Sequence, residues 1–266
     1  MAVRDRGDSG SAYSVASADV VRAPSGRVDS DQLAVEEPLE IRIGGVPIAV
    51  TMRTPGHDEE LAVGFCISEG IRVRSARVPD DLAANTIDVA ADAFDPKRVQ
   101  RNFYTSSSCG VCGKGALEAV AVEAPRVESG LRVTTALVTS LPDQLRAAQR
   151  AFAQTGGVHA TGLFDRSGEL LCVREDVGRH NAMDKVIGWA YANDALPLAN
   201  EILCVSGRLS FELVQKAAVA GCPIVVAVGA PSTLAVELAR DRGVTLCGFT
   251  RRDGMNVYSE QWRLEG

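Results

Sequence analysis

The sequence has no stretch of about 18 apolar residues that could cross a bilayer, and no charged n-region leading into an apolar h-region. It has no excess of positive charge either. Its 28 Lys and Arg stand against 34 Asp and Glu, for a formal charge of −6. That balance excludes a protein whose affinity comes from a broad phosphate-tracking surface, so any bound anion must be met by a local site. Neither nucleic acid nor membrane is an expected partner. Histidine is scarce, with three at 57, 159 and 180, none paired at ligand spacing, and only one Cys-x-x-Cys occurs. A structural zinc site needs four ligands, typically as two such pairs. The zinc deaminase pattern of His-x-Glu followed by Pro-Cys-x-x-Cys also fails. His159-Ala160-Thr161 lacks the Glu and follows the cysteines, and Ser108 stands in place of the Pro. No metal is expected. The seven cysteines are odd in number, and Cys172, Cys204, Cys222 and Cys247 lie within or beside runs of Val, Leu and Ile. They are expected as small buried hydrophobes and not as a disulfide framework, in a cytosolic protein with reduced thiols.

What is present is a globular chain of 266 residues with 46% apolar content, enough for one large domain or two modest ones. Residues 1–30 mix Gly, Ser, Ala and charges without period, which predicts a disordered tail. PLEIRIGGVPIAVTMRT, from Pro38, alternates around Gly-Gly and predicts a hairpin. Asp58-Glu59-Glu60 offer a cap and an acidic first turn for a helix through Leu61, Phe65 and Cys66 that Gly70 closes. Weaker strand signals near 86–90 and 98–104 complete a β-rich N-terminal part over 35–104. Ser140, with Pro142 and Asp143 in the first turn, predicts a helix carrying Leu145, Ala148 and Phe152 that Gly156-Gly157 stop. Strands are expected at 158–165 and 169–175, then a helix at 179–192. EILCVSG, a helix at 210–220, PIVVAVG, a helix at 233–242 and VTLCGFT then alternate. The last three strands are nearly all apolar, as strands covered on both faces by helices must be. The fold class is therefore α/β, a layered mixed sheet over 105–260.

In open α/β sheets ligands bind outside the carboxyl ends of the strands, where helix N-termini present free N–H groups. Ser206-Gly207-Arg208, Ala230-Pro231-Ser232 and Phe249-Thr250-Arg251-Arg252 occupy that position. The guanidiniums suit phosphate or a stacked base, so a nucleotide-sized anion is one reading, and plain caps with solvated arginines the other. REDVGRHNAMDK (174–185) holds Glu175, Asp176, Arg179, His180 and Asp184 at a strand-to-helix junction. They either orient a ligand or close an internal salt-bridge network. Cys109 and Cys112 lie in TSSSCGVCGKG (105–115), among glycines that let the backbone be exposed and mobile. A helix expected to begin near Lys114 or Gly115 would point its positive end at the thiols. That end and the Lys114 charge both favour the nucleophilic thiolate. An activated thiol that must reach a partner fits this better than a thioredoxin-type couple or an inert turn.

The segments SCGVCGK, TGGVHATGLF, REDVGRHNAMDKVIG, SGRLSFELVQKAA, GAPSTLAVELA and GFTRRDG, in this order, resemble the FdhD family of formate dehydrogenase accessory sulfur carriers over about residues 35–260. The resemblance implies a fold related to the cytidine deaminases without their zinc, in a cytosolic homodimer. It implies that sulfur is received from a cysteine desulfurase and passed to a molybdenum or tungsten bis(molybdopterin guanine dinucleotide) cofactor before insertion into formate dehydrogenase. By motif position Cys109 would carry the persulfide and Cys112 would be the second thiol. Phe249, Thr250, Arg251, Arg252, Asp253 and Gly254 would contact the cofactor, with its guanine nucleotide ends along the strand edge at Ser206 and Gly207. A chaperone that shelters the cofactor without moving sulfur is the alternative.

Overall fold

The structure, a computed structural model, describes residues 14–79, 85–92, 122 and 124–266. The stretch 105–115 with Cys109 and Cys112, the strand expected at 98–104 and the helix expected near 114 lie outside those residues.

The larger sheet has six strands: β8 (His159–Asp165), β9 (Leu170–Asp176), β10 (Glu201–Val205), β11 (Ile224–Ala227), β12 (Thr245–Arg251) and β13 (Gly254–Ser259). Their spatial order is β13-β12-β11-β10-β8-β9, with β10, β11 and β12 parallel and the others antiparallel to their neighbours. Successive side chains leave a strand on opposite faces, and here both faces are dry. Leu203, Val205, Val225, Ala227 and Leu246 pack under α4 (Arg179–Ala192), α5 (Phe211–Val219) and α6 (Thr233–Arg242). Ile202, Cys204, Ile224, Val226 and Cys247 pack against α2 (Thr135–Ala148). The result is the layered mixed α/β core that the apolar strands call for.

A smaller sheet, ordered β4-β3-β6-β5, is built from β3 (Glu37–Ile43), β4 (Val46–Arg53), β5 (Val73–Arg77) and β6 (Thr86–Ala91). Its core is covered by α1 (Asp58–Ser68). Helix α1 in turn lies on α4, whose residues from Asn181 to Ala190 are all buried. A helix enclosed on every side carries little amphipathic pattern, and α4 packs between the large sheet, α1 and α5. Two glycines allow the contact: a Cβ at Gly64 would sit 1.8 Å from the Asp184 carbonyl oxygen, and one at Gly188 1.9 Å from that of Glu60. Short strands β7 (Val133–Thr134) and β14 (Leu264–Glu265) pair in parallel and tie the chain end to the start of α2.

Three expectations are corrected. Part of the tail expected over 1–30 is a hairpin of β1 (Val15–Arg22) and β2 (Arg27–Ala34), turning at Gly26 with φ 70°. Val21 and Val28 there are 69% and 68% exposed, and a ribbon wet on both faces leaves no alternating apolar signal. Helix α2 begins at Thr135 and not at Ser140, because the Thr134 hydroxyl accepts from the Leu137 N–H at 3.2 Å. Val138, Leu141 and Leu145 then form its buried stripe, and Pro142 falls inside the helix. Helix α1 is capped by His57, not Asp58; the Asp58 carboxylate instead takes a two-pronged bond from Arg53 at 3.0 and 2.9 Å.

Candidate ligand site at the strand ends

The carboxyl ends of β10, β11 and β12 open onto a cavity of about 730 Å³ closed on its far side by α2 and by α3 (Arg150–Thr155). Five of the expected binding residues line it: Ser206, Thr250, Arg251, Arg252 and Asp253. Gly207, Phe249 and Gly254 stand outside the lining. Gly207 backs onto His159, whose Nδ1 a Cβ there would meet at 3.4 Å. Phe249 is 48% exposed with φ 53°, and Gly254 pairs with Arg251 across the β12–β13 turn.

Each lining group is held by its own element. The Ser206 hydroxyl accepts from the Ala160 N–H at 2.9 Å while the Ser206 N–H donates to the Ala160 carbonyl at 3.0 Å, fastening the end of β10 to β8. Arg251 Nη1 donates to the Val228 carbonyl at 3.2 Å. Arg252, well exposed at the mouth, pairs with Asp143 on α2. Across the cavity the Arg146 guanidinium lies 4.1 Å from the centre of the Phe152 ring. His159 lines the wall, and burial, with the charges of Arg179 and His180, pushes its pKa down against the pull of Asp176. The lining thus combines three arginines, Arg146, Arg251 and Arg252, with two carboxylates, Asp143 and Asp253, and the aromatic ring of Phe152. Of the two helix starts named in the sequence, Ser232 is a plain cap, accepting from Ala235 N–H at 3.2 Å.

The charged segment 174–185 mostly closes an internal network. Asp176, fully buried, takes Lys185 Nζ at 2.8 Å, the Gly178 N–H at 2.8 Å, Asn181 Nδ2 at 3.0 Å and the Thr54 N–H at 3.1 Å. Asp184 takes Lys216 Nζ at 2.8 Å and the Ser68 hydroxyl at 2.8 Å. Arg174 makes a two-pronged bond to Glu60, and Glu175 accepts from the Ala151 and Phe152 N–H groups, both at 2.8 Å, at the start of α3. His180 stays at the strand edge, with Nε2 3.2 Å from the Ser210 hydroxyl and 3.7 Å from Glu212. The nearby His180 imidazole is the main reason the Glu212 carboxyl is held down to about 2.

The described cysteines offer no reactive thiol. Cys66, Cys172, Cys204, Cys222 and Cys247 are all buried. Burial pushes the thiols of Cys66, Cys222 and Cys247 up to about 12, and that of Cys204 up as well. Among the described residues no group of three or more His, Cys, Asp or Glu could hold a metal ion, and no helix is long and apolar enough to cross a membrane.

Sequence reasoning missed the chamber's α2–α3 wall. Arg146, Gln149 and Phe152 read as ordinary positions of one helix, and nothing in the pattern marks the break at Gln149 that separates α2 from α3.

Comparison with known proteins gives a consistent set. The model of the FdhD/NarQ family matches residues 34–265. A relative from Mycobacterium tuberculosis, named sulfur carrier protein FdhD, is 50% identical over 253 residues, covering 88% of this chain and 92% of that one. A relative of the same name from Streptomyces coelicolor is 50% identical over 259 residues, covering 90% and 92%. The crystal structure of a formate dehydrogenase accessory protein from Desulfotalea psychrophila superposes with a TM-score of 0.75 at 28% identity, covering 94% of this chain and 98% of that one.

Proposed function

The chain belongs to the FdhD/NarQ family, and on that premise we propose that it is a sulfur carrier for formate dehydrogenase whose carrying atom is the Cys109 sulfur. The Cys109 thiolate attacks the terminal sulfur of a persulfide on a cysteine desulfurase; the donor's cysteine thiolate leaves, and Cys109 holds the persulfide. The sulfur then passes to the molybdenum bis(molybdopterin guanine dinucleotide) cofactor, the client, before its insertion into formate dehydrogenase. Cys112, the second thiol, serves release or onward transfer. The carrier works in the cytosol as a homodimer, a form that suits a client with two nucleotide arms.

The observation that carries this reading is the distribution of thiols. Five of the seven cysteines are buried, and burial disfavours the thiolate at Cys66, Cys204, Cys222 and Cys247. Nucleophilic sulfur chemistry therefore falls to Cys109 and Cys112. The cavity supports the second half. Arg251 and Arg252, the latter paired with Asp143, bring guanidiniums to its lining for the client's phosphates, and Ser206, Thr250 and Asp253 line it with them.

The test is to incubate the protein with a cysteine desulfurase and cysteine and to measure its intact mass. Wild type gains one reducible sulfur atom and Cys109→Ser does not. A wild type that gains nothing, or a variant that gains as much, refutes the carrier reading. The chaperone reading predicts the opposite genetics: serine variants at Cys109 and Cys112 restore formate dehydrogenase activity in a deletion strain, whereas loss of Arg251 and Arg252 does not.

A further inference from the structure

Three side chains meet where α4 and α5 begin: His180 in the first turn of α4, and Ser210 and Glu212 at the start of α5. Ser210 is the N-cap of α5, yet its hydroxyl makes no bond to a backbone N–H of that helix, the role serine ordinarily takes there. It lies instead 3.2 Å from His180 Nε2. It also helps hold the Glu212 carboxyl low, so its proton points to that carboxylate and its lone pair to the imidazole N–H. His180 Nδ1 is thereby left as an acceptor with no partner among the described residues, in a side chain that is 35% exposed. One nitrogen held and the other presented is the arrangement of an imidazole that moves a proton.

Two further observations tie this cluster to sulfur. The preceding residue, Arg179, has a buried Nε–H with no acceptor among the described residues, and its charge, like that of His180, bears on His159 of β8. With the positive ends of two helices, a cation is at hand for an anion formed here. The thiols are also tethered close by. The Val122 N–H donates to Gln215 Oε1 on α5 at 3.1 Å, and Gln215 lies little more than one turn from Ser210. From Val122 back to Cys109 the chain spans up to about 45 Å, which puts His180 within its reach.

We propose that His180 is a catalytic acid–base residue of sulfur loading, taking the proton of the Cys109 thiol and giving it to the departing donor thiolate. This rests on the reading that Cys109 is the carrying atom. The thiol proton passes to His180 Nδ1 as the Cys109 sulfur bonds to the terminal sulfur of the donor's persulfide. The sulfur–sulfur bond within the donor breaks, its electron pair stays with the donor's cysteine, and the imidazolium returns the proton to that thiolate. One sulfur atom changes carrier, and no oxidant or reductant enters. Glu212, through Ser210, stabilises the imidazolium, and Arg179 the thiolate.

The experiment uses the full chain with Cys112→Ser as parent, so that Cys109 is the one thiol of its pair. Iodoacetamide alkylation of Cys109 is followed against pH by peptide mass mapping, and sulfur loading by a cysteine desulfurase and cysteine by intact mass. His180→Gln moves the midpoint of the alkylation profile up by about one pH unit or more and slows loading about 100-fold or more. Ser210→Ala, which removes no helix-cap bond, melts near the parent and gives a smaller shift of the same sign. A His180→Gln protein that loads at the parent's rate overturns the inference and leaves the carrier reading standing, as does a midpoint within about 0.3 unit of the parent. Where His180→Gln melts well below the parent, Ser210→Ala decides, and an unmoved midpoint there overturns the inference. A parent that gains no sulfur refutes the carrier reading itself, and this inference with it.

Discussion

Replacing Gly188 by alanine inserts one methyl group where α4 meets α1. Its carbon would lie 1.9 Å from the Glu60 carbonyl oxygen and 2.5 Å from the carbonyl carbon. Ordinary contact begins near 3.4 Å, so the two backbones must part by about 1.5 Å or bend, because no flexible side chain stands there to yield. Alanine is the better helix former by about 1 kcal/mol. Against that gain, overpacking costs about 1–3 kcal/mol and more where backbone must move. Separation also pulls on the Arg174–Glu60 pair and on the Lys216–Asp184–Ser68 cluster, which sit on the same two helices and their neighbours. The net expectation is a loss of at least about 3 kcal/mol. For a chain of this size that lowers the melting temperature by about 6–12 °C. Thermal melts followed by circular dichroism read this directly, with Gly130→Ala as control, since a Cβ there meets nothing within 4 Å. A Gly188→Ala protein melting within about 2 °C of wild type would refute the reasoning.

Lys185→Met leaves the fully buried Asp176 carboxylate without its cation and should destabilise the protein by about 3–5 kcal/mol in urea titrations, while Lys185→Met with Asp176→Asn, neutral and still offering an acceptor to the Gly178 N–H and Asn181 Nδ2, recovers part of the loss; equal stability of the single and double variants would contradict this. Glu212 has a folded pKa near 2 against an ordinary 4.5, so its contribution is present above pH 4.5 and disappears as pH falls towards 2. The stability gap between wild type and Glu212→Gln should close over that window, and a gap unchanged down to pH 2 would count against the His180 contact. Brief iodoacetamide treatment of the native protein should leave Cys66, Cys172, Cys204, Cys222 and Cys247 unmodified by peptide mass mapping, whereas all seven cysteines react in urea. Modification of any of the five in the native state would show a core more open than described.

The layered core was legible because its periodicities are unambiguous. Helices at Arg179–Ala192 and Thr233–Arg242 begin and end where the pattern places them, and the apolar runs at 201–205, 224–227 and 245–251 are strands. The β1–β2 hairpin was not, since neither face is dry enough to impose alternation. The cap of α2 was misplaced because Ser140 looks like a cap, yet its hydroxyl bonds back to the Leu137 carbonyl at 2.7 Å inside the helix. At the candidate site, Arg251 and Arg252 announce themselves by charge beyond a strand. Gln149 does not, because its surroundings are set by a helix break and by residues more than fifty positions away in sequence, such as Ser206 and Thr250. The charged junction at 174–185 was readable as chemistry or as architecture, and only its partners, Glu60, Thr54 and Lys216, decide for architecture.

The burial of five cysteines also bears on what happens to a sulfur atom in transit. Persulfide sulfur moves to whichever thiolate meets it, so every accessible thiol on a carrier is a wrong address. Cys204 and Cys247, both on the sheet's α2 face with Val226 of the strand between them, would be two such thiols at the surface. Sealed beneath α2, with burial disfavouring their thiolates, they are closed to such exchange. The hydrophobic core thereby doubles as insulation, closing five of the seven thiols to sulfur exchange.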